Sequence, residues 1–371
     1  MRLFWLIFVP AAAYQLLAIL AALNHLRRRY SSKQERRTYQ PPVSVLKPLR
    51  GLDPNSLEAF VSQASQDYPE YEILFGVADM SDPVVPEVRR LQERFPDVCI
   101  RLIAGRKELA NGKVGVLANL GCHAKHPIWL VNDSDIKVTP EYLSTVIDPL
   151  QDPSVGLVTC LYRARGQARS AVWESLGVAT DFMPSTLVAQ LIGIREFGLG
   201  STLAFRASDL LQAGGFEAIG DYLADDYQLA KRITGLGKTT LLSTYTVETA
   251  LGDETWSGSW QHQLRWARTI RACKGGGYAG LPIAQAGIWI VLALVSGAIG
   301  TALVLFILRL LSALISSRWV LGSSQATALF WLAPAWDLYS FAVWLASYSG
   351  REVRWRDRVL SIDAQGKIQN G

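Results

Sequence analysis

The chain has 371 residues, of which 50% are apolar and 19% charged, below the roughly 25% charged of soluble domains. Lys and Arg number 37 against 32 Asp and Glu, a formal charge of +5. This length and composition exclude a disordered chain and allow one large domain or two modest ones; the mild basic excess suits an anionic membrane surface or anionic substrate at least as well as nucleic acid. Four cysteines (Cys99, Cys122, Cys160 and Cys273) form no CxxC pair, which excludes a disulfide scaffold and a Cys-based zinc module and fits a reducing compartment.

Leu3 to Leu23 is almost uninterruptedly apolar, long enough for a helix to cross a bilayer and longer than the hydrophobic part of a signal peptide. Residues 1–26 are therefore expected to be an N-terminal transmembrane anchor. Arg27, Arg28, Arg29, Lys33, Arg36 and Arg37 follow it, so the downstream side is expected to face the cytoplasm. Tyr30–Pro42 reads as a linker.

Residues 38–280 read as a cytosolic α/β domain. Val43–Leu46, Glu72–Val77, Ile100–Ile103, Ile128–Val131 and Gly156–Cys160 have strand character. Leu57–Gln66, Val84–Arg94, Gly112–His123 and Pro140–Asp148 have helical patterns between them. This alternation predicts parallel pairing with helices covering the sheet. Ligands of such sheets sit outside the carboxyl ends of the strands. There is no internal repeat, no GxxxxGK[ST] loop and no GxGxxG after a strand, so any nucleotide must be held another way.

Acidic residues follow apolar strands at Asp79, at Asp133-Ser134-Asp135, and later at Asp225-Asp226. Singly, such residues read as turns or helix caps. In an extended stretch, Asp133 and Asp135 would share one face and repel unless a cation sits between them. Mg²⁺ or Mn²⁺ with a diphosphate completing the shell is the natural partner. Lys113, at an expected helix start, would meet a phosphate or stay solvated. His123 and His126 lack the further ligands a zinc site needs. Phe182-Met183-Pro184 and Leu187–Ile194 read as a core helix or a lipid-facing one.

Trp256, Trp260, His262, Arg265, Trp266, Arg268 and Arg271 make an amphipathic segment. It reads as an interfacial helix, or as one that turns His262 or Arg265 toward a diphosphate. Lys274–Gly280 reads as a second linker. Residues 281–350 are expected to be a C-terminal transmembrane region of two or three spans, through Gln285–Leu308 and Ala326–Ala346. Residues 351–371, with Arg351, Arg354, Arg356 and Arg358, are expected to be a basic cytosolic tail. Basic clusters that flank membrane segments need no nucleic acid to explain them.

Taken in order, VSVLKPLRG from Val43, GVADMSDP around Asp79, NDSD around Asp133, GSTLAFR from Gly200, GGFE from Gly214, LADDYQLA around Asp226 and HQLRW through Arg265 resemble one family. The set resembles the ceramide glucosyltransferase family of inverting GT-A-type glycosyltransferases. It is especially similar to the bacterial members, which include hopanoid-modifying glycosyltransferases. The resemblance covers about residues 40–280 and the terminal spans. It implies that Asp79 contacts the uridine of a UDP-sugar donor, that Asp133 and Asp135 hold the metal on the diphosphate, and that Asp226 is the general base. It implies that Lys113, Arg265 and Trp266 belong to the donor site, with His262 at the first position of a (Q/R)xxRW motif. His262 stands where that motif has Gln or Arg, and Met183 stands where eukaryotic members have a His before Pro184. The implied reaction moves one sugar, from UDP-glucose or UDP-N-acetylglucosamine, to a hydroxyl of a membrane lipid, ceramide-like or a hopanoid polyol, at the bacterial inner membrane. The alternatives are a processive polysaccharide synthase or polyprenyl-phosphate glycosyltransferase, which would call for more spans, and an inactive nucleotide-sugar binder, which would be expected to lack Asp226.

Overall fold

The computed structural model describes residues 4–32, 38–53, 55–253, 255–355 and 358–369. The chain forms two compact units, each assembled from separated segments: residues 32–162 with 194–250, and residues 1–31 with 163–193 and 251–371.

The first unit is built on a seven-stranded sheet. Its strands are β1 (Val43–Pro48), β2 (Tyr71–Val77), β3 (Cys99–Ala104), β4 (Ile128–Val131), β5 (Val155–Arg165), β6 (Leu203–Arg206) and β7 (Thr239–Ala250), in the order β3-β2-β1-β4-β6-β5-β7. β1, β2, β3 and β4 pair in parallel, as expected from the helices between them. β1, β2 and β4 are buried and mostly apolar because helices cover both faces, whereas β3 is a half-exposed edge strand. One core layer gathers Val45, Phe60, Ile73, Phe75 and Leu130; the other gathers Leu46, Leu74, Leu117, Trp129 and Phe205. One buried exception, Glu72, accepts hydrogen bonds from Ser44 Oγ (2.6 Å), Arg101 (2.7 Å) and the Lys125 amide (2.8 Å). Where parallel pairing was expected throughout, β6 runs antiparallel to both β4 and β5. This places the start of β6 beside the carboxyl ends of β1 and β4.

The second unit contains the long apolar helices. Among the described residues, two are long and apolar enough to cross a membrane, Leu6–Ser31 and Ile299–Val320; a pair bent by 52°, Gly276–Ile283 with Ala286–Val295, would make a third. The 24-residue helix Val9–Ser32 is about 36 Å long, enough for a hydrocarbon core of about 30 Å. Packing among these helices uses small side chains: Ala11, Ala286, Ala293, Ala298 and Ala302 meet Phe8 and Leu305. The apolar run Gln285–Leu308 is not one helix. It breaks at Gly297, whose φ of 76° is a left-handed conformation that L side chains disfavour.

Lys274–Gly280 is not a linker. The helix Trp256–Ala279 runs through it with one non-helical residue, Lys274. Within Tyr30–Pro42, residues 30–32 end the first helix and 33–37 lie outside the described residues. The basic segment after Arg351 pairs into a small antiparallel sheet of Glu352–Trp355, Arg358–Ile362 and Ile368–Gln369, and Arg356 lies outside the described residues. In the helix Met183–Leu191, Met183, Leu187 and Val188 are buried, while Leu191 is exposed.

Pro184 determines a polar clamp in this unit. It has no N–H, so the carbonyls of Thr180 and Ala179 lose a helical donor, and Val178–Phe182 widens into a π-helical turn. Those two carbonyls accept instead from Arg309 (2.7 Å) and Ser316 Oγ (2.7 Å). Arg309 also grips Asp337 with two hydrogen bonds of 2.8 and 2.6 Å, and Asp337 accepts from the Gly287 amide at 2.8 Å. Both charged groups are buried. Removing one member of a buried pair strands the other, so Arg309→Ala is expected to cost about 3–5 kcal/mol, whereas replacing both by apolar residues costs less. Thermal unfolding in detergent would read the difference; equal losses would refute it.

Candidate active site

The carboxyl ends of β1, β2 and β4 lie side by side, because Leu46 pairs with Leu74 and with Val131. Each then delivers polar groups to the same edge. Asn132 and Asp133 follow β4 directly. Asp133-Ser134-Asp135 is a turn rather than an extended stretch, so the two carboxylates take different partners. Asp135 accepts from Thr249 Oγ1 of β7, and Ser134 Oγ donates to Asp53. Backbone hydrogen bonds between Lys137 and Glu248, 2.8 and 3.1 Å, pin the turn to β7. Burial, then the charge of Asp133, pushes the Asp135 carboxyl up to about 6.

Lys113 meets Asp133 from the opposite side. It lies in the first turn of the helix Gly112–Gly121, whose cap is the buried Asn111. Asn111 Oδ1 accepts the amides of Lys113 (3.0 Å) and Val114 (3.3 Å). Its Nδ2 donates to the Tyr222 carbonyl and its amide to the Gly220 carbonyl, both at 2.8 Å. One side chain thus fastens the helix start to the loop that leads into Asp225. Lys113 Nζ reaches Asp133 Oδ1 at 2.8 Å and Asp225 Oδ2 at 3.1 Å. Burial alone would push this lysine down, but Asp133 and Asp225 outweigh it and hold its charge firmly.

Asp225 and Asp226 open the helix Asp225–Thr234, where the helix dipole favours anions. Asp226 accepts from the Gly200 amide (3.0 Å) through Oδ2 and from the Tyr227 amide (2.7 Å) through Oδ1. Burial and Asp225 push its carboxyl up to about 6, against the pull of Lys113. Gly200, just before β6, stands between two of these acids. A Cβ there would lie 3.1 Å from Asp133 Oδ2 and 3.5 Å from Asp226 Oδ2. The antiparallel entry of β6 therefore sets the spacing of the two carboxylates.

Under this cluster lies Lys47 of β1, fully buried, donating to Asn132 Oδ1 at 2.9 Å and the Asp133 carbonyl at 2.7 Å. Burial pushes it down to about 8 despite the nearby acids. It holds the backbone where Asp133 leaves the strand.

The model of glycosyl transferase family 21 matches residues 3–368. The chain belongs to glycosyl transferase family 21. Among curated relatives of this family 21 chain, Ceramide glucosyltransferase 1 of Caenorhabditis elegans is 28% identical over 208 residues, covering 55% of this chain and 44% of that relative. Ceramide glucosyltransferase of Komagataella phaffii is 28% identical over 166 residues, 38% of this chain and 32% of the relative. The chain thus aligns with less than half the length of these relatives. The fold is that of a solved mannosyltransferase, PcManGT of Pyrobaculum calidifontis in complex with GDP-Man and Mn²⁺, at a TM-score of 0.53 and 20% identity, covering 92% of this chain and 97% of that one.

Of the residues singled out from sequence, the family 21 chain brings Lys113, Asp133 and Asp226 together, with Asp135 on the same turn as Asp133. Asp79 follows β2 at the same sheet edge, exposed, with Oδ1 accepting the Ser81 amide at 2.7 Å; hydrogen bonds from Ser81 hold its carboxyl below the usual range. His262, Arg265 and Trp266 lie in the other unit, on the helix Trp256–Ala279. There the His262 ring packs on Trp266 with centroids 4.8 Å apart, and Trp266 packs on Phe182 at 5.5 Å. Sequence reasoning missed Lys47 and Asn111. A lysine inside an apolar strand, and an Asn just ahead of a helix start, were the available signals.

Gly200→Ala tests the spacing. The added methyl forces the carboxylates to shift by a few tenths of an ångström, and glycosyl transfer is expected to fall about tenfold with the thermal midpoint nearly unchanged. Full turnover in this variant would show that the spacing is not critical.

Proposed function

We propose that this protein is a membrane-bound inverting glycosyltransferase that moves one sugar from a UDP-sugar, UDP-glucose or UDP-N-acetylglucosamine, onto a hydroxyl of a membrane lipid. The observation that carries this reading is the cluster of Lys113, Asp133 and Asp226 around Gly200 at the carboxyl edge of the sheet. Its parts match what an inverting transfer requires: a base for the acceptor hydroxyl and positive charge for the departing diphosphate.

Asp226 is the base. It is oriented by two backbone amides rather than by a cation, which leaves it able to accept a proton. Lys113 answers the charge that develops on the leaving diphosphate. Asp133 and Asp135 are the metal ligands. Among the described residues no three His, Cys, Asp or Glu side chains form a group that could hold an ion by themselves. Two hard carboxylates fit Mg²⁺ or Mn²⁺ when phosphate and water complete the shell. The donor set agrees: Lys113 takes one Asp133 oxygen, the other lies beside the space that a Cβ on Gly200 would enter, and Asp135 is destabilised as an anion by burial and then by the charge of Asp133. When bound, the metal supplies charge stabilisation to the diphosphate. Asp79 is assigned to the uridine.

The Mn²⁺ and GDP-Man in the mannosyltransferase complex and the ceramide glucosyltransferase names of the relatives support a metal, a nucleotide-sugar donor and a lipid acceptor. The two candidate spans among the described residues support residence in a membrane, and the basic residues after the first span support a cytoplasmic catalytic unit; the bacterial inner membrane is what the resemblance to bacterial members implies. The test is UDP release and product mass from detergent-purified protein with Mg²⁺ or Mn²⁺, over UDP-sugars crossed with ceramide and a bacteriohopane polyol. One sugar on one lipid is the expected result. A growing polymer, or release with neither lipid, would point instead to a polysaccharide synthase or polyprenyl-phosphate glycosyltransferase.

A further inference from the structure

Asp181 sits half-buried in the π-helical turn Val178–Phe182, within the unit that holds the long apolar helices. The base of the neighbouring clamp, Arg309, is spent on Asp337 and the Thr180 carbonyl. Asp181 is left with neutral donors, and both go to one oxygen. Its Oδ2 accepts from Trp336 Nε1 at 3.1 Å and from Ser340 Oγ at 3.0 Å. Its Oδ1 accepts from nothing among the described residues. Ser340 is held in turn by Gln285, whose Nε2 donates to the serine Oγ at 2.9 Å. Gln285 is 3% exposed, and its Oε1 is a buried acceptor without a donor among the described residues. One hydrogen-bonded chain, Gln285 to Ser340 to Asp181, thus carries an open acceptor at each end. The first long helix reaches the same turn: Ser185 Oγ, which donates to the Asp181 carbonyl at 2.8 Å, lies 2.9 Å from the Tyr14 hydroxyl. Open acceptors among apolar helices are costly unless a donor reaches them. The charges nearby say which kind. With Asp181 and Asp337 against Arg309 alone, the surroundings disfavour the phosphate of a bulk phospholipid, which also brings acceptors where donors are wanted.

We propose that Asp181 and Gln285 form a recognition site, within this unit, for a neutral lipid whose polar end carries hydroxyl or amide N–H donors. Asp181 Oδ1 takes one donor and Gln285 Oε1 a second, while Trp336 and Ser340 hold the carboxylate in orientation. A hydrogen bond to a charged acceptor is about twice as strong as one to a neutral acceptor, so Asp181 carries more of the selection than Gln285. For the class of its lipid the proposal rests on the glycosyl-transfer reading.

The test titrates the full chain in detergent with a short-chain ceramide and, separately, with phosphatidylcholine and phosphatidylethanolamine of matched chain length, and counts bound lipid by native mass spectrometry. The wild type is expected to prefer ceramide to phosphatidylcholine about tenfold. Asp181→Asn can keep one oxygen for Trp336 and Ser340 but turns the open acceptor into a donor. It is expected to lower ceramide affinity about tenfold and to leave phosphatidylcholine unchanged. Gln285→Leu is expected to lower ceramide affinity about threefold, and it decides the matter if Asp181→Asn does not fold. Equal losses for ceramide and phosphatidylcholine would overturn the site. So would a lowered thermal midpoint with unchanged ceramide affinity. Preference for phosphatidylethanolamine would overturn the choice of ligand, because the carboxylate would then be taking an ammonium group. Should the chain bind ceramide through Asp181 but transfer no sugar, the glycosyl-transfer reading fails and the site stands. Sugar transfer with ceramide binding indifferent to Asp181 does the reverse.

Discussion

Asp226→Asn is expected to lower turnover by about 10²–10⁴-fold while donor affinity stays within a few-fold, because a lost base affects proton transfer rather than binding. Asn keeps the size of the side chain and its single oxygen can still accept the Gly200 amide, while its NH2 group gives up the Tyr227 amide, so half of the seat survives and the lost proton acceptor dominates the effect. The pH profile gives a second reading of the same group. The base works as carboxylate, and its carboxyl is pushed up to about 6. In the wild type, kcat/KM is expected to fall as pH drops through about 6, when the carboxylate takes up a proton. That acid limb is expected to vanish in the residual activity of Asp226→Asn. Wild-type turnover in the variant, or an unchanged acid limb, would remove the base from Asp226 and turn attention to Asp225.

Asp135→Ala is expected to weaken Mn²⁺-dependent donor binding at least about tenfold, since even residues behind a metal ligand cost 10–100-fold when removed. Binding without metal should hardly change. The Asp133 contact to Lys113 remains, so the lysine keeps its position and the two contributions separate. Calorimetry of UDP with and without Mn²⁺ measures both. An undiminished Mn²⁺ effect would leave Asp135 as a structural residue, held by Thr249 to keep the turn against β7.

The parallel half of the sheet was legible because strands buried on both faces must be mostly apolar, and those at Val43, Glu72 and Ile128 are short runs of that kind separated from their neighbours by helices; the edge strand at Ile100 was legible from its length and apolar residues. β6 was not, since four residues, Leu203–Arg206, carry too little periodicity, and its antiparallel direction depends on where the chain returns. The acids were visible one by one, but not their arrangement. The contact of Lys113 with Asp225 joins residues far apart in sequence, and the turn at Asp133 exists because Ser134 and Asp135 find partners on other segments. The linker expected at Lys274–Gly280 shows the opposite error. Glycine lowers helix propensity only modestly, by about 1 kcal/mol, and tertiary packing overrode it.

The unit with the long helices is assembled from the beginning, the middle and the end of the chain, and this orders its biosynthesis. Gln15, buried in the first long helix, donates its amide to the Ala284 carbonyl, 269 residues later. At a translation rate of about 5–20 residues per second, that partner leaves the ribosome roughly 15–50 s after Gln15 does. Nascent chains that stop short of Ala284 therefore hold an unsatisfied amide in their most apolar helix. They are the species that quality-control proteases would meet first.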